Sequence, residues 1–282
     1  MIKTFDVLLT GIDGFSGHHI QKSFEKSKIK FIGVSRKYKK KKIIKWDLTK
    51  KYNKKINFKI DYIVHTAAIH KIEDFTSNKS KNKIKNILMI KNLIKFAEKN
   101  NIKKFIFFST IDITNNNIAG IKKSYNLSKL KSEEFLHQAY KKKIFEKVII
   151  LRIPAIIGKN ANENFLTNVI KNLKNNEDIT IMDRKKYNNF VHIKDLCRLI
   201  LKILSVCSTH KYDNLRFINI LNCLSANYIH ISKKILRIKK ILKSNSRISV
   251  LRKREKFKFL NLKKNKFNYK FMTCNEAIKL IL

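Results

Sequence analysis

Cysteine is sparse: Cys197, Cys207, Cys223 and Cys274 are all there are, and none shares a CxxC or CxxH spacing. This argues against a disulfide framework or a zinc site, and it fits a reducing cytoplasm. Long apolar runs are missing too. No stretch of about 18 uncharged apolar residues occurs, so no membrane-spanning helix is expected. The first residues, Met1 to Asp6, lead straight into a strand pattern without a signal-peptide core. Acids are few, 20 Asp and Glu against 64 Lys and Arg, for a formal charge of +44. Such a balance ordinarily points to nucleic acid or an anionic membrane surface. Here the excess is mostly lysine spread along the whole chain, beside abundant Ile and Asn, six glycines and one proline. That is the pattern of A- and T-rich coding over a solvated surface. Weak, non-specific adhesion to polyanions is the consequence expected.

What is present is a globular composition, 44% hydrophobic over 282 residues, enough for a sizeable core. Apolar runs at 5–11, 31–35, 43–46, 61–66, 104–108 and 148–153 read as buried strands. Between them, the stretch to about Lys28 and residues 82–100 and 125–140 carry helical spacing. Unbroken apolar strands alternating with helices imply a parallel sheet covered on both faces. The alternation loosens after about residue 158. Helices are expected at 165–173 and 193–204, with short strands near 179–182 and 217–220. The expected organisation is a nucleotide-binding domain over 1–158 and a smaller substrate-binding portion over 159–282, some of it returning to the first core. Phe257, Phe259, Leu260 and Phe267 keep the acid-poor later part from reading as a free tail.

The scarce glycines concentrate where the first strand meets the first helix, in Thr10-Gly11-Ile12-Asp13-Gly14-Phe15-Ser16-Gly17. Glycine there permits a tight turn, lets backbone approach a pyrophosphate, and allows close strand–helix packing. The helix N-terminus adds N–H groups and a positive dipole end. Tyr125 and Lys129 stand four apart on an expected helix, after a fifth strand ending Ser109-Thr110. A phenol near pKa 10 is a poor base at neutral pH. A neighbouring ammonium favours the phenolate. Thr110 could then donate to a substrate oxygen as charge develops on it.

Thr-Gly-x-x-Gly-x-x-Gly after a first strand resembles the extended branch of the short-chain dehydrogenase/reductase superfamily, the sugar-nucleotide epimerases, dehydratases and reductases. Further matches follow in the family's order: Asp47-Leu48, then Asp61-Tyr-Ile-Val-His65-Thr-Ala67-Ala68, then Asn86 to Leu93. Arg152-Ile153-Pro154, Gly158 and Asn189-Phe-Val-His192-Ile-Lys-Asp195 complete the series. The resemblance implies a Rossmann-type α/β fold with a doubly wound parallel sheet and a catalytic set of Thr110, Tyr125 and Lys129. It implies cofactor contacts from Gly11, Gly14, Phe15, Gly17, Ser35, Arg36, Asp47, Leu48, Ala67, Ala68, Lys129 and Pro154. Substrate contacts fall to Asn164 and to Arg252, in a late basic segment similar to the family's pyrophosphate-holding one. No metal is implied. His65 and His192 read as structural histidines, and Asp13 as a turn-former.

NAD-preferring members carry an acid at the end of the second strand. Here Ser35, Arg36 and Lys37 stand there, so NADP is expected ahead of NAD. Ile111-Asp112 replaces the Asp-Glu that follows the catalytic threonine in the family's dehydratases, which leaves epimerisation or keto-sugar reduction. Asn188 stands where the family has a phosphate-binding arginine. Two other readings stay open: a catalytically silent dinucleotide-binding protein, and a nucleic-acid-associated relative. Apolar positions in 82–98 and 126–140 suffice for more than one helix face, so a homodimer is expected.

Overall fold

The computed structural model describes residues 3–38, 42–54, 56–69, 79–115, 123–209, 212, 214–251 and 265–282. The chain divides into two compact units, the first made of 1–152 with 200–222 and the second of 153–199 with 223–282.

In the first unit, strands β1 (Lys3–Thr10), β2 (Phe31–Ser35), β3 (Ile43–Lys45), β4 (Phe58–His65), β5 (Lys104–Thr110), β6 (Lys147–Ile153) and β10 (Phe217–Asn222) form one sheet. Its order is β3-β2-β1-β4-β5-β6-β10, and every pairing is parallel. This is a doubly wound α/β sheet whose order reverses beside β1, the switch point at which such folds bind dinucleotides. Helices α1 (Phe15–Lys26), α2 (Lys79–Lys99) and α3 (Lys123–Lys141) make the crossovers, and a short 3-10 turn (Ile111–Asn115) follows β5. The strands are apolar on both faces because helices cover both. Val7 to Leu9, Ile63, Phe105, Phe107, Val148 and Ile150 are all buried. Beyond the sheet's edge, Trp46 packs on Tyr52 and Phe96 with ring centroids 4.9 and 5.1 Å away.

The second unit has two small parallel pairs. β7 (Ala155–Ile157) joins β9 (Phe190–His192), and β8 (Ile179–Met182) joins β11 (Ile248–Leu251). With them lie α4 (Phe165–Lys174), the start of α5 (Ile193–Cys207), α6 (Ile231–Ile241) and α7 (Cys274–Lys279). Its core includes Leu166, Ile170, Phe190, Ile235 and Ile278. β8 falls where a strand is expected at 179–182, whereas β7, β9, β11, α6 and α7 carry no sequence expectation. Pieces this short carry no period of their own and form because partners distant in sequence pair with them. Phe267 is buried as part of this later region. Phe257, Phe259, Leu260 and Arg252 lie outside the described residues. Among the described residues, no helix is long and apolar enough to cross a membrane.

Candidate active site

The glycine turn is built for close approach. Gly11 adopts φ +77°, and a Cβ there would lie 2.6 Å from the Ala67 nitrogen and 2.7 Å from the Thr66 hydroxyl. A Cβ on Gly17 would sit 2.0 Å from the Gly11 carbonyl oxygen, so a side chain at either position displaces backbone. Gly14 caps α1 in extended geometry without a side-chain cap, and its N–H donates to the Gly11 carbonyl at 3.0 Å. The first-turn N–H groups of α1 therefore have no partner within the helix, at its positive dipole end. That is the cradle a pyrophosphate fits. Phe15 begins α1 and stacks edge-on to His19. Thr66 donates to the Thr10 carbonyl at 2.7 Å, tying the ends of β1 and β4 together. Thr10 and His65 share a hydrogen bond of 2.7 Å, and His65 lies flat on Phe107. Burial, with the Lys129 charge adding to it, pushes the His65 pKa well below its usual value and keeps it neutral.

At the end of β2, Ser35 is 2% exposed and donates to Asp13 Oδ2 at 2.8 Å, while Tyr38 also bonds that carboxylate. Arg36 is exposed. Asp47 accepts from the Thr49 N–H and hydroxyl. Partial burial raises the Asp47 pKa, yet these bonds and the charge of Arg36 hold it below the usual range. Two asparagines of α2 fix the neighbouring loops. Asn92 donates to the Leu48 carbonyl at 2.9 Å. Asn86 brackets Ile69, accepting from its N–H and donating to its carbonyl, which sets the strand-end loop holding Ala67 and Ala68. Asn86 also reaches the Ser128 hydroxyl on α3 at 3.2 Å.

Tyr125 and Lys129 lie one turn apart on α3, with the Lys129 Nζ 5.7 Å from the Tyr125 ring centroid. Lys129 is 3% exposed, donates to the Phe108 carbonyl at 2.7 Å and stands 4.7 Å over the Phe107 ring. Burial lowers its pKa to about 7, against a smaller upward pull from Glu133. The Tyr125 pKa is pushed up by burial and by the charge of Asp112, so the protein groups keep the phenol protonated. Thr110 is buried at the end of β5, its hydroxyl accepting from the Asp112 N–H at 3.3 Å. Behind this set lies Glu133, 3% exposed, which accepts from the Ser109 hydroxyl and from two nitrogens of Arg152, at 3.1 and 2.7 Å. Lysine held by a backbone carbonyl, with tyrosine on its own helix and threonine at the end of the preceding strand, is a set of groups that could do acid–base work.

A model of the NAD-dependent epimerase/dehydratase family matches residues 7–215. The chain belongs to that family. No curated protein sequence matches it. Solved structures similar to it include the UDP-glucose 4-epimerase of Thermotoga maritima with UDP-glucose, 16% identical, TM-score 0.75, covering 98% of this chain and 97% of that one. The UDP-N-acetylglucosamine 4-epimerase of Bacillus cereus is 19% identical, with TM-score 0.70 and coverages of 98% and 95%. The UDP-glucose 4-epimerase of Thermus thermophilus in complex with NAD is 13% identical, with TM-score 0.63 and coverages of 98% and 92%. At these identities the likeness is one of fold.

In the second unit of this NAD-dependent epimerase/dehydratase family member, the motif residues hold neighbouring backbone. Asn164 caps α4: its Oδ1 accepts from the Thr167 N–H at 3.2 Å and its Nδ2 donates to the Ile156 and Asn162 carbonyls. Pro154 stands between β6 and β7. His192 accepts from the Lys194 N–H at 3.1 Å. Asp195, 1% exposed, accepts from the Tyr269 hydroxyl at 2.7 Å and the Met272 N–H at 3.0 Å, fixing the chain ahead of α7. Burial raises its pKa, and these two bonds only partly offset that. Asn188 is buried and donates to the Ser225 carbonyl. Sequence reading overlooked Glu133 and the ties made by Asn86 and Asn92. A carboxylate four residues beyond Lys129, amid apolar positions of the same helix, was the available signal.

Proposed function

We propose that the chain transfers hydride at a sugar carbon of a nucleotide-activated sugar, acting as an epimerase, with a nicotinamide dinucleotide held at the glycine turn. The carrying observation is the pair of half-buried Tyr125 and buried Lys129 in the same unit as the Gly11–Gly17 cradle, which lies at the switch point of the sheet. The family match supports it, and the similar structures named for UDP-sugar 4-epimerases favour epimerisation of a UDP-sugar over keto-sugar reduction. The turn suits a dinucleotide: a Cβ at Gly11 or Gly17 would strike neighbouring chain, so glycine is what lets the strand end and the helix N-terminus come this close. When bound, the nicotinamide accepts and returns the hydride, and in its oxidised form adds a positive charge.

The protein's own groups do the rest. Tyr125 Oη takes the proton from the sugar hydroxyl and gives it back. Burial and Asp112 hold the phenol neutral, so positive charge nearby is needed to draw the proton off, and Lys129 supplies part of it. The Phe108 carbonyl and the Glu133 charge both favour the Lys129 ammonium against the burial that lowers its pKa to about 7. Thr110 donates to the same substrate oxygen and steadies the charge that develops there. Arg252 is the substrate-side candidate of the second unit, and Asn164, its amide engaged at the α4 cap, would hold that helix end in place.

Ile84 and Leu88 on α2 are 53% and 36% exposed, an apolar face that supports a homodimer through α2 and α3. Light scattering at micromolar concentration gives twice the monomer mass, and a monomer mass removes the dimer. For the activity, UDP-glucose and UDP-N-acetylglucosamine are incubated with the protein and each dinucleotide, and products are resolved by chromatography. Appearance of the 4-epimer, lost in Tyr125→Phe, supports the proposal. No conversion with any nucleotide-sugar and either dinucleotide refutes it.

A further inference from the structure

The end of β2 lacks the acid that holds an adenosine ribose in NAD-selective folds of this kind. The second strand ends in Ser35, followed by the cations Arg36 and Lys37. A carboxylate is nevertheless delivered to this spot by a different part of the chain. Asp13, exposed in the glycine turn, receives the Ser35 hydroxyl on Oδ2 at 2.8 Å, and Ser35 itself is pinned by the Lys37 N–H at 3.1 Å. Tyr38 bonds the same carboxylate from the chain just beyond. The carboxylate of Asp13 therefore stands against the tip of β2, where an acid of that strand would otherwise reach. A carboxylate offers about four lone-pair sites, so Ser35 and Tyr38 do not exhaust it.

The geometry points to Asp13 as the residue that selects the cofactor, accepting the adenosine ribose 2′-hydroxyl of NAD and repelling the 2′-phosphate of NADP. This rests on the reading that the chain binds a nicotinamide dinucleotide, and it reverses the preference for NADP that Ser35 and Arg36 suggest in the sequence alone. Two of the supports for NADP are accounted for. The Ser35 hydroxyl is spent on a carboxylate, and a phosphate accepting from it would press its negative charge against Asp13. The Arg36 charge acts on Asp47, which it helps to hold ionised. An acceptor-only group is also selective in kind, since it bonds a hydroxyl proton and has nothing to donate to a phosphate.

The test is equilibrium binding of NADH and NADPH to the full chain, read from nucleotide fluorescence at two salt concentrations. NADH is expected to bind about tenfold or more tightly, a ratio that shrinks as salt screens the repulsion. Asp13→Asn keeps the shape and removes the charge, and it brings NADPH to within about threefold of NADH by tightening NADPH. Ser35→Ala releases the carboxylate and gives an intermediate ratio. NADPH binding as tightly as NADH in the wild type overturns the assignment while leaving the proposed activity intact, as does an unchanged ratio in Asp13→Asn. Binding of neither nucleotide overturns both. Should Asp13→Asn fail to fold, the wild-type ratio and its salt dependence decide the matter.

Discussion

The two units treat their motif residues in opposite ways. In the first, the glycines of the turn and the Thr110–Tyr125–Lys129 set present backbone N–H groups and acid–base groups, while others brace them: Asn86, Asn92 and Glu133. In the second, the motif residues are themselves the braces. Asn164 spends its amide on a helix cap, and Asp195 spends both oxygens on Tyr269 and Met272. A motif match therefore carries different hydrogen-bonding duties in the two regions, and only the hydrogen-bond partners tell them apart.

The sharpest way to break this contrast is Tyr125→Phe in the first unit. It is expected to cut turnover by about a thousandfold or more while leaving dinucleotide affinity within a few-fold, since only the proton-transfer group goes. Turnover within a few-fold of wild type dismisses Tyr125 from the chemistry. Gly17→Ala comes next. A Cβ placed 2.0 Å from the Gly11 oxygen forces backbone apart, so stability falls by about 3 kcal/mol in urea unfolding and dinucleotide binding is lost with it. Gly14→Ala, whose Cβ meets that oxygen at 3.3 Å, is the milder control.

The matching change in the second unit, Asp195→Ala, removes the carboxylate bonds to the Tyr269 hydroxyl and the Met272 N–H and leaves that hydroxyl only the backbone carbonyl of residue 195, 3.1 Å away, at about 2 kcal/mol. Dinucleotide affinity stays within about twofold if the residue is scaffold. A large loss of dinucleotide binding by a chain that is still folded contradicts the contrast. The smallest effect concerns pH. The Lys129 pKa lies near 7 in the folded protein and near 10.4 when unfolded, so unfolding takes up a proton between those values. Stability from this group therefore rises with pH above 7, by at most about 1.4 kcal/mol per pH unit, and the penalty for burying the ammonium is fully felt below it. Urea unfolding of wild type and Lys129→Met at pH 7, 8 and 9 should diverge in favour of the wild type. Parallel curves exclude the lowered pKa.

Much of this was legible in the chain. Strand–helix alternation to residue 153 follows from the period of apolar residues, and the Gly11–Gly14–Gly17 turn and the Tyr125–Lys129 spacing are readable because each is local, settled within a turn or two of backbone. The three-residue strands β7 and β9 were not, since their pairing joins residues 155–157 to 190–192. Nor was the seventh position of the sheet, taken by residues 217–222 beside β6. Sequence alone determined the fold class and which residues could do acid–base work. Tertiary structure decided that Ser35 meets Asp13, that Glu133 joins Ser109 to Arg152, that Asn164 is a cap, and that Lys129 titrates near 7. The reason is physical: burial, and hydrogen bonds between distant residues, exist only once the chain has brought those residues together, and these fix what a polar side chain is free to do.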